Sequence, residues 1–124
     1  SRSIIGTGPK CATRGLKMFW NAESFNQPLN NWNVPNVTDM RFMFNGARSF
    51  NQPLNNWNVS NVTDMSWMFN TATSFNQPLN NWNVSKVRDM RGMFNNATSF
   101  NHLTDMRYMF QRSSSFNQPQ LLRW

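Results

Sequence analysis

The eleven-residue string SFNQPLNNWNV occurs three times, beginning at Ser24, Ser49 and Ser74, so that the copies lie 25 residues apart. A fixed period of this length calls for one structural unit per repeat, each burying its apolar face against the next. The expected fold is a stack of coils, with function sought on the surfaces the stack presents. With 39% hydrophobic and 15% aromatic residues in 124, the chain has material for one domain with a continuous core.

Within the unit 25–49, the apolar positions are Phe25, Leu29, Trp32, Val34, Val37, Met40, Met43, Phe44 and Ala47. Leu29, Trp32 and Val34 end on a two-residue alternation, which predicts a short strand. Val37 to Ala47 follow at spacings of about three, which predict one face of a short helix. Asn36 or Asn61 stands three residues before Asp39 or Asp64, the pattern of an N-cap with an acid in the first turn. Asn45, Asn70 and Asn95 are placed to end that helix, and the prolines at 28, 53 and 78 favour an extended return.

Extended to Val37 and Met40, the pattern reads LxxLxLxxVxxM with Trp, Val and Met in leucine places. It resembles a leucine-rich repeat. The run FNQPLNNWNVSNVTDMSWMF is similar to the 25-residue repeats of the BspA-type leucine-rich-repeat family of surface proteins, over residues 16–119. The resemblance implies an α/β repeat solenoid of right-handed, leucine-rich-repeat-like coils, with short parallel β-strands on one face and short helices on the other. It also implies an extracellular or cell-surface interaction role, and it carries over no catalytic residues.

The organisation expected is an irregular N-terminal arm over 1–15, a solenoid over 16–119 and a tail over 120–124. The solenoid would comprise a partial first coil, three full coils and a shortened last coil. In that last coil Phe100 precedes Asp105 by five residues, where Phe75 precedes Asp89 by fourteen, so the strand is missing and three strands are expected. The chain opens at Ser1 without a charged-then-apolar leader, which reads as a processed product or part of something longer. No run approaches the roughly 18 consecutive apolar residues of a membrane-spanning helix. Cys11, the only cysteine, excludes an internal disulfide and a cysteine-based zinc cluster.

Enzyme chemistry finds no support: there is no nucleophile with a histidine and acid, no glycine-rich phosphate loop and no metal-ligand spacing. His102 has no ligating neighbours in sequence, and the repeated Asp39, Asp64 and Asp89 lack the multi-acid, glycine-containing loop that calcium needs. No cofactor or metal is expected. Two sets of residues remain as candidate contact surfaces. Asn31, Asn56 and Asn81, with Asn33, Asn58 and Asn83, would form polar ladders on the concave face. Arg41, Phe42, Trp67, Arg91, Arg107 and Tyr108 fall in the two columns where the repeats differ from one another, and exposed aromatics beside arginine are typical interface anchors.

The reading is a non-catalytic protein-interaction or adhesion module, partnered by a protein or a larger assembly. The alternative is a peripheral structural subunit docked on a larger complex, including a membrane-embedded one. The net charge of +7 draws the chain to an acidic surface or anionic lipid. Nucleic acid would suit the basicity and the aromatics, yet no recognised nucleic-acid module is present.

Overall fold

The computed structural model describes residues 17–34 and 36–102. These form a partial coil (17–24) followed by coil 1 (25–49), coil 2 (50–74) and coil 3 (75–99). The expected arm over 1–15, the shortened last coil beyond His102 and the tail over 120–124 lie outside the described residues.

The expected α/β solenoid of leucine-rich-repeat-like coils is not what forms. Among the described residues there is no helix, and strand-type pairing is limited to two isolated parallel bridges, Asp39↔Asp64 and Asp64↔Asp89. The segment predicted to be helical is a succession of β-turns. In coil 1 the N–H groups of Met43, Asn45 and Ala47 close turns onto the carbonyls of Met40, Phe42 and Phe44 at 3.0–3.3 Å. The alternate N–H groups, those of Met40, Phe42, Phe44 and Gly46, cross to the carbonyls of Asp64, Ser66, Met68 and Asn70 in coil 2 at 2.8–3.3 Å. Coil 2 repeats the arrangement towards coil 3, with Met65, Trp67, Phe69 and Thr71 donating to Asp89, Arg91, Met93 and Asn95. Turns closed from residue i to i−3 place side chains three apart on one side, so the apolar spacing imitates a helix face. Positive φ angles at Phe42 (61°) and Gly46 (78°) break right-handed helical geometry within that segment.

The three expected strands over Leu-x-x-Trp-x-Val are likewise absent. Burial does alternate along Asn31, Trp32, Asn33 and Val34, but a turn from Leu29 to Trp32 bends the backbone before any ladder develops. Side chains join the coils there instead. The Trp57 indole Nε1 donates to the Leu29 carbonyl at 2.8 Å, and Trp82 Nε1 donates to Leu54 at 2.9 Å. The Asn30 and Asn55 carboxamides accept the backbone N–H of Asn56 and Asn81 at 3.2 and 3.0 Å. Asn26, Asn51 and Asn76 do the same for Asn51, Asn76 and Asn101 at 2.9–3.0 Å. Repeated asparagine thus supplies acceptors that a sheet would have taken from its own backbone.

The core is zipped by two columns of stacked phenylalanines. Phe19, Phe44, Phe69 and Phe94 stack at 5.2, 5.4 and 5.5 Å between centroids. Phe25, Phe50, Phe75 and Phe100 stack at 5.9–6.0 Å. The columns interlock within each level, at 4.6 Å for Phe19–Phe25 and 4.1 Å for Phe94–Phe100. Leu, Trp, Val and Met side chains at the sequence-predicted apolar positions fill the rest of the buried cluster.

Replacing Trp57 by Phe keeps an aromatic ring but leaves the Leu29 carbonyl with the Trp32 N–H in place of two donors, the loss of one hydrogen bond worth about 0.5–1.5 kcal/mol. Urea denaturation of Trp57→Phe and Trp82→Phe should each show a loss of about 1 kcal/mol. A loss below about 0.5 kcal/mol would mean that the indole bonds contribute little.

Candidate functional site

Each coil turns outward just after its aspartate. The backbone N–H groups of Arg41, Ser66 and Arg91 donate to Oδ1 of Asp39, Asp64 and Asp89 at 2.9–3.0 Å, forming Asx turns. The aspartates therefore cap turns, where the sequence pattern pointed to helix N-termini. The Arg41 side chain folds back onto its own aspartate, with Nη2 2.7 Å from Asp39 Oδ2 and Nε 3.0 Å from Oδ1. Arg91 does the same on Asp89, at 2.8 and 3.1 Å. In coil 2 the place of the arginine is taken by Ser66, only 4% exposed, whose hydroxyl donates to Asp64 Oδ1 at 2.7 Å. Burial pushes the Asp39 carboxyl up, but the hydrogen bonds and charge of Arg41 outweigh it and hold the group below its ordinary value. The Arg91 side-chain hydrogen bonds hold Asp89 below its ordinary value against the opposing effect of burial. Arg91 is thus committed to the carboxylate of its own coil, while Arg41 also reaches across to coil 2, with Nε 3.8 Å from Asp64 Oδ2.

The aromatic column follows immediately. Phe42, Trp67 and Gly92 occupy the third position of equivalent turns, at φ of 61°, 58° and 64°. A positive φ at that position belongs to type II geometry and favours glycine or asparagine. For a bulky L-residue it costs about 1–2 kcal/mol. Gly92 makes room as well: a Cβ there would run into Cε3 and Cζ3 of the Trp67 indole, which lies across it from coil 2. Trp67 nonetheless remains 36% exposed.

One large aromatic on this face was not singled out by the sequence pattern. Trp20, 48% exposed, occupies in the partial coil the position held by Asn45, Asn70 and Asn95 in the next three. It stacks on Phe42 at 5.7 Å with an interplanar angle of 27°. The Lys17 ammonium sits 5.4 Å from the Trp20 ring centroid and 5.3 Å from that of Phe42. The available signal was the repeat itself, since Lys17 aligns with Phe42, and Trp20 with Asn45, once the partial coil is placed in register. The structure therefore brings Phe42 together with Lys17 and Trp20 and sets Trp67 in the same column as Phe42. Arg107 and Tyr108 lie outside the described residues.

The predicted asparagine ladders behave in two ways. Asn33, Asn58 and Asn83 are exposed, and Asn58 and Asn83 accept the N–H of Ser60 and Ser85 at 3.0 Å in local turns. Asn31, Asn56 and Asn81 are also exposed, and their side chains make no hydrogen bond among the described residues. With no strand beneath them, these rows are turn surfaces and not the concave sheet face that was expected. Among the described residues no three His, Cys, Asp or Glu side chains are grouped to hold a metal ion, and no helix is long and apolar enough to cross a membrane. His102 packs its ring against Phe100 at 5.6 Å.

A family model described as Mycoplasma protein of unknown function, DUF285, matches residues 12–103 and 101–124. This match replaces the BspA-type leucine-rich-repeat resemblance drawn from the repeat motif. Comparison with curated proteins finds no match, and comparison with solved structures finds none either.

Three outcomes follow from the geometry of the turns. Gly92→Ala places a Cβ into the Trp67 indole at a left-handed φ, and thermal or urea unfolding should register a loss of at least about 2 kcal/mol. In Phe42→Asn, relief of left-handed strain, about 1–2 kcal/mol, is set against the aromatic contact with Trp20, about 0.5–1.5 kcal/mol, so stability should change by less than about 1 kcal/mol. The third concerns acid. Because Asp39 and Asp89 titrate below the ordinary 3.8 when folded, their contribution is complete above that value and is lost as pH falls through it towards the folded values. Urea midpoints measured from pH 7 to pH 3 should fall at the acid end. The Asp39→Asn/Asp89→Asn double variant should fall less steeply there, and an unchanged slope would remove the two clasps as its source.

Proposed function

We infer that this chain, which belongs to the DUF285 family of Mycoplasma proteins of unknown function, is a non-catalytic interaction and adhesion module. Its contact surface is the face carrying Trp20, Phe42 and Trp67, and its partner is a protein or a larger assembly that it holds without transforming. One observation carries the reading. Two large aromatic side chains stand at left-handed positions where the third coil uses glycine, and Trp67 is left more than a third exposed. Strain held at partly exposed side chains, where a glycine would do, is a cue for function beyond the fold. Aromatic rings on a rigid support are also the residues that anchor interfaces.

The test uses Phe42→Asn, whose near-neutral effect on stability separates binding from folding. The full chain and the Phe42→Asn/Trp20→Ala variant are immobilised side by side and exposed to surface extract of the source cells, with circular dichroism confirming that both are folded. A partner captured by the parent chain and lost by the variant supports the contact face. Equal capture by both places the contact elsewhere and removes this reading.

A further inference from the structure

The aromatic face also carries an ordered row of amides. Trp20 shares its column with Asn45, Asn70 and Asn95. Since the Trp20 ring packs on Phe42, the amide column runs directly beside the aromatic one. Asn70 Nδ2 donates to Asn45 Oδ1 at 3.5 Å, and Asn95 Nδ2 donates to Asn70 Oδ1 at 3.1 Å. Chained in this way, Asn70 uses one amide hydrogen and one lone pair on its neighbours and keeps one of each for a ligand. Asn95 is exposed, and Asn45 and Asn70 are half-buried.

The charge on this part of the molecule is low. Of the chain's net +7, the described residues hold six cations and four acids, a net of +2. Arg41 and Arg91 are clasped by Asp39 and Asp89, so Lys17 is the cation that lies on the aromatic rings. A polyanion finds little to complement there. A chain of uncharged hydroxylated rings finds a match: the C–H face of a sugar packs on an indole, while its hydroxyls both donate to and accept from carboxamides. Neighbouring coils are joined by backbone bonds of 2.8–3.3 Å, which sets a step of about 4.8 Å as between paired strands, close to the length of one pyranose unit in an extended chain. Successive sugars would meet successive amides.

We propose that the Trp20–Phe42–Trp67 face, with Asn45, Asn70 and Asn95, is a binding site for an uncharged, extended oligosaccharide, whether free or carried on a glycoprotein. This rests on the reading of the same face as a non-catalytic contact surface and gives its ligand a chemical class.

The full chain is titrated with cellohexaose, chitohexaose and the corresponding disaccharides, and separately with heparin, at physiological salt. Tryptophan fluorescence and calorimetry follow the binding. At least one neutral hexasaccharide should bind, with its disaccharide about tenfold weaker. Trp20→Ala and Asn95→Ala should each weaken binding about tenfold, equivalent to about 1.4 kcal/mol. A surface glycoprotein captured by the chain should be lost after enzymatic removal of its glycans. Failure of both the hexasaccharides and the glycan-bearing protein to bind overturns the proposal. So does heparin binding tighter than the neutral sugars with a steep salt dependence, which would mark a polyanion site. Capture that survives deglycosylation but is lost in the Phe42→Asn/Trp20→Ala variant refutes the sugar and leaves the contact face standing. Indifference to both treatments removes the two together.

Discussion

The backbone N–H groups between Met40 and Ala47 alternate between two tasks, and everything else in the stack is arranged around that alternation. One set closes turns within the coil, and the other crosses to the next coil, so no coil satisfies its own backbone. An isolated coil would leave the crossing donors without protein partners and its phenylalanines stacked on one side at most. Neighbouring coils thus supply hydrogen bonds and ring contacts together, the coupling that makes repeat arrays cooperative. Two unbroken phenylalanine columns enforce the same registration from within, because a slip by one residue would unstack every ring at once.

Away from that ladder, side chains act as pieces of backbone. The Trp57 and Trp82 indoles reach carbonyls of the preceding coil, and the Asn26, Asn30, Asn51, Asn55 and Asn76 carboxamides accept N–H groups of the following one. The repeat can dispense with strands over Leu29–Val34 because these groups take over the pairing. This also explains the composition of the thrice-repeated string. Two of its four asparagine positions, those of Asn26 and Asn30, serve as joints between coils, and its tryptophans do what a leucine in the same apolar place could not.

The period, the stacking partners and the apolar positions were legible in the sequence, since burial follows Leu29, Trp32, Val34, Val37, Met40, Met43, Phe44 and Ala47 as their spacing indicates. The local conformation was not. Residues three apart share a side both in a helix and in a run of i to i−3 turns, so spacing alone does not separate the two. Glycine at one place in each of two columns, Gly46 and Gly92, was the sequence's sign of left-handed backbone. Phe42 and Trp67 concealed it in the column they share with Gly92, because neither residue is expected at positive φ. At the candidate site, Phe42 and Trp67 were legible as departures from the repeat. Trp20 lay in a partial coil and became visible only when its ring met Phe42, and Arg41 and Arg91, offered by the sequence as contact residues, are paired with Asp39 and Asp89.

The division between constant and variable positions therefore has a structural cause. Apart from the exposed Asn31, Asn56 and Asn81, the positions repeated in every coil, such as Phe, Trp, Asp and the linking Asn residues, have atoms used by a neighbouring coil or by a turn within their own. A change at one of them disturbs two levels of the stack. The position shared by Phe42, Trp67 and Gly92 makes the same backbone bonds whatever its side chain, since Phe42 and Trp67 donate across the coils equally. Its side chain can differ without breaking the ladder, at the cost of one left-handed residue and only where the ring of the preceding coil leaves space, which the Trp67 indole does not at Gly92. A stack built this way can vary its outer rings from coil to coil while its inner registration stays fixed, which places a recognition surface where the repeat tolerates change.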